Sequence, residues 1–309
     1  MSSKKIVSLL PAATEIVCAL GLEEQLIGRS HECDFPENIC LLPVCSTAKF
    51  TPGSDSVAID RQVKEILTEA LSIYDIDIEL IRQLQPDIII TQSQCEVCAV
   101  SLDDVSRKLE GLLEKDVEII SLEPHVLNDL FKDIRMIAKS LNVTEKAEQL
   151  IEGLQERLDL IKHKLKFIEQ KPRVACVEWL SPLMIAGNWT PELVETAGGI
   201  PVLAEKGKHS FYIDIASIQQ EDPDILILIP CGFSISRTLQ EINLLLEIHG
   251  WNELKAVQNN QVYVADGNQY FNRSGPRLVD SAEILAEIIN PKQFVFGYEG
   301  QGWVKFGTS

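Results

Sequence analysis

The stretch "HVLNDLFKDIRMIAKSLNVTEKAEQLIEGLQERLDLIKHKLKFIEQ", residues 125–170, decides the architecture. Leu127, Leu130, Ile134, Ile137 and Leu141 recur at helical spacing. Ile151, Leu154, Leu158, Ile161 and Leu165 repeat the pattern after a break at Asn142-Val143-Thr144. Thr144 is suited to cap the second helix, because a hydroxyl there accepts backbone N–H groups that the first turn leaves unpaired. A helix from Thr144 to about Gln170 spans roughly 40 Å at about 1.5 Å per residue. Such an element is a rod between two lobes, not a flexible linker.

On either side of the rod, short β-rich runs alternate with helical patterns, which predicts parallel α/β units. Before it, strands are expected at Ile6–Leu10, Gln25–Arg29, Asp87–Thr91 and Val117–Ser121, with helices at about Ala13–Leu20, Asp60–Leu71, Ile78–Leu84 and Leu102–Leu113. After it, strands are expected at Arg173–Glu178, Asp224–Ile229 and Gln261–Ala265, with helices near Pro191–Ala197, Ser236–Ile248 and Pro276–Ile289. Gln85-Pro86-Asp87 introduces one buried strand and Asp222-Pro223-Asp224 another, an echo that suggests two related lobes. The predicted organisation is an N-terminal α/β lobe at 1–125, connecting helices at 126–171 with the long one at about 144–170, and a C-terminal α/β lobe at 172–290. The aromatic, Gly-rich tail 291–309 is too short to be a domain.

Composition narrows the function. With 309 residues, 45% of them apolar, the chain can fill two cores. A formal charge of −18 and the lack of a long basic stretch exclude nucleic acid and anionic membrane surfaces as partners. No run of about 18 apolar residues exists, so no membrane-inserting helix is predicted. The opening "MSSKKIVSLLPAATE" sets two lysines before an apolar run, but that run is shorter than the ~7–15 residues of a signal peptide core. Ile6–Leu10 is therefore expected to be the first buried strand, and the protein to be cytoplasmic.

In a reducing compartment the eight cysteines, at 18, 33, 40, 45, 95, 98, 176 and 231, would be free, ligating or reactive. Cys95-x-x-Cys98 has no second Cys-x-x-Cys to complete a structural zinc site. Cys18, on a helix, and Cys176, in a strand, read as small buried hydrophobes, and packing is also the expectation for Cys40 and Cys45 around Pro43. Cys95 and Cys98 could be a redox pair, part of a metal site, or thiols lining a pocket. The redox reading is the weakest, since the pair does not open a helix among aromatic and proline neighbours.

Open α/β sheets bind ligands outside the carboxyl ends of their strands. In the first lobe the strand ends lead into Pro11-Ala12-Ala13, then "SHECDFP" with His31, Glu32 and Cys33, then "QSQCEVC". In the second they lead into Glu178-Trp179 and "SPLMIAGNWTPE" with Trp189, then "PCGF" with Cys231, and last "DGNQYFNRSGPR" with Tyr270, Phe271 and Arg273. Cys33, Cys95, Cys98 and Cys231, with His31, form a candidate soft-metal set, although a lone His-x-Cys is more often a surface loop pair. Catalytic templates are missing: there is no G-x-S-x-G, no P-loop and no G-x-G-x-x-G. His163, His209 and His249 are expected in solvent and His125 at a helix start, so no nucleophile is paired with a base.

"KIVSLLPAATEIVCALGLEEQLIGRSHECDFP", "QPDIIIT", the Ala-Gly-Gly at 197–199 and "YFNRSGPRLVDSAEILAEII" together resemble the cobalamin- and iron-chelate-binding periplasmic proteins of ABC importers, over roughly residues 4–290. "SHECDFP", "CEVCAVS", "EWLSP" and "PCGF" look most like a signal-less, cobalamin-binding-protein-like branch. The resemblance implies two Rossmann-like α/β lobes joined by a long rigid backbone helix (class III, TroA-like), with a small molecule held between them. It implies a ligand-facing loop at Pro11-Ala12, an aromatic pair at Tyr270 and Phe271, and a ligand-reaching arginine at Arg273. Glu32 stands where the family places an aromatic, and Gln269 where it places an acid. Glu79 matches a permease-docking glutamate, whereas the second such position falls at Ala216, which counts against an importer role. The expectation is non-catalytic binding of a corrinoid or related metal chelate, with the cysteines lining the site. The alternative is a thiol- or metal-dependent enzyme, or a metal-handling protein, on the same scaffold.

Overall fold

The computed structural model describes residues 3–69, 73–93 and 116–307. The helix expected at Leu102–Leu113 lies outside them, as do Cys95 and Cys98. The chain divides into two compact units, one of residues 1–124 and 128–152, the other of residues 125–127 and 153–309.

In the first unit, β1 (Ile6–Ser8) pairs in parallel with β2 (Leu26–Arg29) on one side and β5 (Ile88–Gln92) on the other, and β6 (Glu118–Leu122) completes the order β2-β1-β5-β6. These runs are apolar because a parallel sheet is covered on both faces. Helix α1 (Pro11–Ala19) starts two residues earlier than expected, with Pro11 at its first position, where a missing N–H costs nothing. Helix α2 (Ser56–Glu69) precedes α3 (Ile78–Leu84). A small antiparallel pair, β3 (Ser46–Ala48) and β4 (Tyr74–Ile76), went unread in the sequence because each strand is only three residues long.

Helices α4 (Leu127–Leu141) and α5 (Thr144–Leu165) come next, parted at the expected break, where Asn142 takes φ 58°. The boundary between the units falls inside α5, between Glu152 and Gly153. α5 stops five residues short of the expected end. Phe167, beyond Leu165 and off the apolar stripe, is 84% exposed.

In the second unit, β7 (Arg173–Trp179) runs parallel to β9 (Ile200–Pro201) and β11 (Ile225–Leu228), and β11 runs parallel to β12 (Val262–Ala265). β8 (Met184–Ile185), β10 (Phe211–Tyr212) and β13 (Trp303–Phe306) add antiparallel edges. The helix expected at Ser236–Ile248 is two short ones, Ile235–Gln240 and Asn243–Leu246; the bend between them lets Ile242 and Leu245 join the Trp251 core.

The Pro-Asp echo is a complete repeated module. Asp77 caps α3 through Leu80 N–H (2.9 Å), Gln85 ends it at φ 47°, and Pro86-Asp87 leads into β5. Asp214 caps α7 (Ile215–Glu221), which comes after α6 (Thr190–Thr196), through Ser217 N–H (2.9 Å); Asp222 ends it at φ 42°, and Pro223-Asp224 leads into β11. A left-handed residue followed by proline stops a helix cleanly. The second position of each helix differs, with exposed Glu79 bound to Arg82 at 3.0 Å in one and exposed Ala216 in the other.

The segment after residue 290, expected to be a tail too short for a domain, belongs to the second unit. β13 pairs with β12 from Val262↔Phe306 to Ala265↔Trp303. Glu287, buried on the helix Leu278–Ile289, accepts the backbone N–H groups of Phe296, Gly297 (2.6 Å) and Tyr298 (3.2 Å) and the indole N–H of Trp303 (2.8 Å). Arg157 on α5 reaches Asp280 (2.5 Å) and Glu283 (2.6 Å), and Tyr298 donates to Glu283 at 2.9 Å.

Removing a charged acceptor leaves its donors buried and unpaired, at about 1–3 kcal/mol or more. Glu287→Ala is therefore expected to lower unfolding free energy by about 2–4 kcal/mol in denaturant titrations, and Glu287→Gln by less. In the first unit, Asp133 on α4 is buried with Oδ2 unpartnered among the described residues. Burial, reinforced by the charges of Asp129 and Glu123 against that of Lys132, pushes its carboxyl up to about 7. The folded state thus holds a proton that the unfolded chain releases near pH 4. Its contribution is complete below that pH and is lost as pH rises through about 7, at up to ~1.4 kcal/mol per pH unit. Asp133→Asn is expected to raise the melting temperature at pH 8 and to flatten its dependence between pH 5 and 8.

Candidate functional site

At the carboxyl edge of the first unit's sheet, the described residues include the segments that follow β1 and β2. Backbone bonds from Leu9 to Ile90 and from Ser30 to Ser8, both 2.8 Å, align the strand ends that launch them. Pro11 is half-buried and Ala12 buried in the first turn of α1. The loop after β2 is held from beneath by Arg29, whose guanidinium donates to the carbonyls of Ser30 (3.0 Å), Cys33 (3.0 Å) and Cys40 (3.1 Å).

This loop separates its side chains. Cys33 turns inward, 1% exposed, and accepts from Thr14 Oγ1 at 3.1 Å, while the same hydroxyl lies 2.8 Å from Ser8 Oγ. His31 and Glu32 stay half-buried. His31 Nδ1 lies 2.9 Å from Ser46 Oγ, and its ring packs against Tyr74 at 5.2 Å between centroids. The Tyr74 phenol donates to Glu32 Oε1 at 3.0 Å. Burial, then the Arg29 charge, holds the His31 imidazole below its usual range, against the bond to Ser46. Ser46 and Tyr74, on β3 and β4, went unnoticed in the sequence because neither adjoins the loop that it supports.

At the carboxyl edge of the second unit's sheet, Glu178 accepts from Ser210 Oγ at 2.6 Å, and its carbonyl receives the Cys231 N–H at 3.0 Å. Trp179 packs on Phe233 at 5.2 Å, and Arg237 lies over Phe233 at 4.9 Å. After β12 the chain makes one turn of π-helix, Gly267–Phe271, capped by Asp266 accepting the Gln269 N–H at 2.8 Å. Gly267 is required there, since a Cβ would sit 2.1 Å from the Pro230 carbonyl oxygen. Such turns often occur at functional sites. Asn272 ties this one to β11's end through the Ile229 carbonyl at 3.1 Å.

The aromatic side chains expected at this edge differ in burial. Phe271 is wholly buried, and its carbonyl accepts the indole N–H of Trp189 at 2.8 Å; Trp189 itself is 8% exposed. Both rings, expected to face a ligand, are buried, and the Trp189 polar edge is bonded to that carbonyl. Tyr270 keeps a partly exposed ring, flanked by Tyr298 at 6.0 Å and Arg277 at 5.7 Å. Arg273 is buried and donates to Asn268 Oδ1 at 2.9 Å. Burial pushes the Asp266 carboxyl up, against the N–H groups of Gln269 and Asn268 and the charges of Arg273 and Arg277.

The thiols divide in the same way. Cys45 and Cys176 are buried, their pKa values pushed by burial to about 11 and about 12, and half-buried Cys18 is likewise pushed to about 12. Cys40, expected to pack, is exposed, because its short helix lies on the surface; Cys231 is half-buried. Among the described residues, no group of three or more His, Cys, Asp or Glu side chains is arranged to hold a metal ion. None of the described helices is long and apolar enough to cross a membrane.

With this geometry in hand, comparison with known proteins gives a consistent picture. A Bacillus subtilis protein named as an uncharacterized ABC transporter substrate-binding lipoprotein is 24% identical over 94% of this chain and 81% of its own length. A vitamin B12-binding protein of Vibrio parahaemolyticus is 24% identical over 90% of this chain and 86% of its own. The crystal structure of a periplasmic heme-binding protein from Pseudomonas aeruginosa superimposes with a TM-score of 0.70 at 20% identity, covering 94% of each chain. That likeness carries the fold, two α/β units with the long helix α5 passing from one into the other, as the sequence predicted. The sequence profile described as periplasmic binding protein matches residues 6–268, and the chain belongs to that family.

Proposed function

We propose that the protein is a non-catalytic binder of a planar metal chelate of the corrinoid or heme class. The observation that carries this reading is the composition of the two carboxyl edges. Each ends in braced polar groups, His31 and Glu32 in the first unit, Tyr270, Arg273 and Asn268 in the second. Among the described residues, the hydroxyl that meets His31, that of Ser46, is 1% exposed and braces the ring. A ring such as Tyr270, with the Arg277 guanidinium 5.7 Å from its centroid, supports stacking on a flat ligand with a carboxylate- or amide-bearing periphery. Full-length similarity to vitamin B12-binding proteins and a shared fold with heme-binding ones support the same ligand class. Delivery to a permease is outside the proposal, because Glu79 has no carboxylate counterpart at Ala216 in the repeated module.

The test is incubation of the purified protein with cyanocobalamin, cobinamide and hemin, followed by gel filtration with visible detection. At least one chelate is expected to co-elute, and retention of none would overturn the reading. Tyr270→Ala is expected to weaken the retained chelate roughly tenfold, equivalent to about 1.4 kcal/mol of lost stacking. Trp189→Phe is expected to leave retention unchanged while lowering unfolding free energy by about 1 kcal/mol, the worth of its bond to the Phe271 carbonyl.

A further inference from the structure

His31 and Cys33 stand two residues apart, yet the fold gives them opposite roles. Cys33 is closed in, with its sulfur bound by Thr14. His31 is held on two sides. Ser46 Oγ accepts its backbone N–H at 3.3 Å and lies 2.9 Å from its Nδ1. Tyr74 braces the face of the ring, tilted by 52°, and is itself tied by its hydroxyl to Glu32 of the same loop. Tyr74 is 3% exposed and Ser46 1%, so both supports are fixed parts of the interior. The partly exposed imidazole makes no hydrogen bond through Nε2 among the described residues. In the tautomer that donates Nδ1–H to Ser46, Nε2 keeps its lone pair.

A histidine oriented through one nitrogen, with its ring plane braced and the other nitrogen unspent, is built as a metal ligand. One nitrogen would not hold a bare ion, and the described residues supply no further cluster of ligands around it. A planar chelate brings its own equatorial donors and leaves only axial positions to fill.

We propose that His31 Nε2 is an axial ligand to the metal of the bound chelate, with Ser46 and Tyr74 as its positioning residues. This rests on the chelate-binding reading above. In the step itself, the Nε2 lone pair forms the metal–nitrogen bond as the bond to an axial water breaks. The water leaves to solvent, and the metal keeps its oxidation state.

Diaquacobinamide and, separately, hemin are the probes, read by visible absorbance on the intact protein. Wild type is expected to shift at least one of them to the spectrum of its imidazole adduct. His31→Ala and the closer replacement His31→Gln are expected to retain that probe about 10–100-fold more weakly, with the water-ligated spectrum, and free imidazole should restore the shift. Ser46→Ala is expected to keep the imidazole-type spectrum while weakening binding about tenfold. Retention by wild type with a water-ligated spectrum overturns the assignment and leaves chelate binding standing. So does an imidazole-type spectrum that persists in both His31 variants. Failure of wild type to retain either probe overturns the axial ligand together with the function it rests on.

Discussion

Two carboxylates set the frame on which everything else hangs. Asp87 Oδ2 accepts the backbone N–H of Lys5 at 2.7 Å, and Asp224 Oδ2 accepts that of Arg173 at 2.8 Å. Each ties the start of a sheet's central strand to the start of its neighbour. In a parallel pair a slip of one residue would turn every side chain to the wrong face, so pinning the first residue fixes the whole register. Ile6 then faces Ile88 in one unit and Val174 faces Ile225 in the other, and the carboxyl ends emerge level. Loops can be held against one another only when the strands that launch them end together.

What the loops do with that edge differs between the units. In the first, a half-buried cation organises the chain: Arg29 gathers three carbonyls that would otherwise be stranded in a turn. That leaves His31 and Glu32 to be shaped from the side by Ser46 and Tyr74. In the second, the organiser is backbone proximity. Gly267 lies so close to the Pro230 carbonyl that no side chain fits, and the π-helical turn beginning there sets Tyr270 outward and Phe271 inward. Consecutive residues thus acquire unlike environments through one irregular turn.

Much of the frame was legible in the sequence because it depends on local periodicity. The apolar stripe of Ile151 to Leu165 announced the long helix, and β-branched runs after Pro-Asp announced the central strands. The small pairs were not legible, since two or three residues such as Met184-Ile185 carry no pattern of their own. The pairing of the tail was not legible for a related reason. The feature that orders it, the Glu287 carboxylate, sits on a helix whose sequence looks merely apolar. Least legible was burial at the strand ends. Nothing in the spacing of Trp189 and Phe271 announces that the two are buried, one bonded to the other.

The sequence by itself determined the class of molecule: two α/β units, a rigid helix shared between them, and candidate ligand groups after each strand. These depend on residue type and spacing along the chain, which is all that hydrophobic periodicity, capping and strand-end rules require. Only the tertiary structure decided which candidates are available for chemistry. His31 and Cys33 are near neighbours in sequence, yet one is braced with a nitrogen to spare and the other is closed in beneath Thr14. Distant residues made that choice, Ser46 and Tyr74 for one and Thr14 for the other. Burial and hydrogen bonding are properties of what surrounds a side chain in space, and spacing along the chain does not encode them.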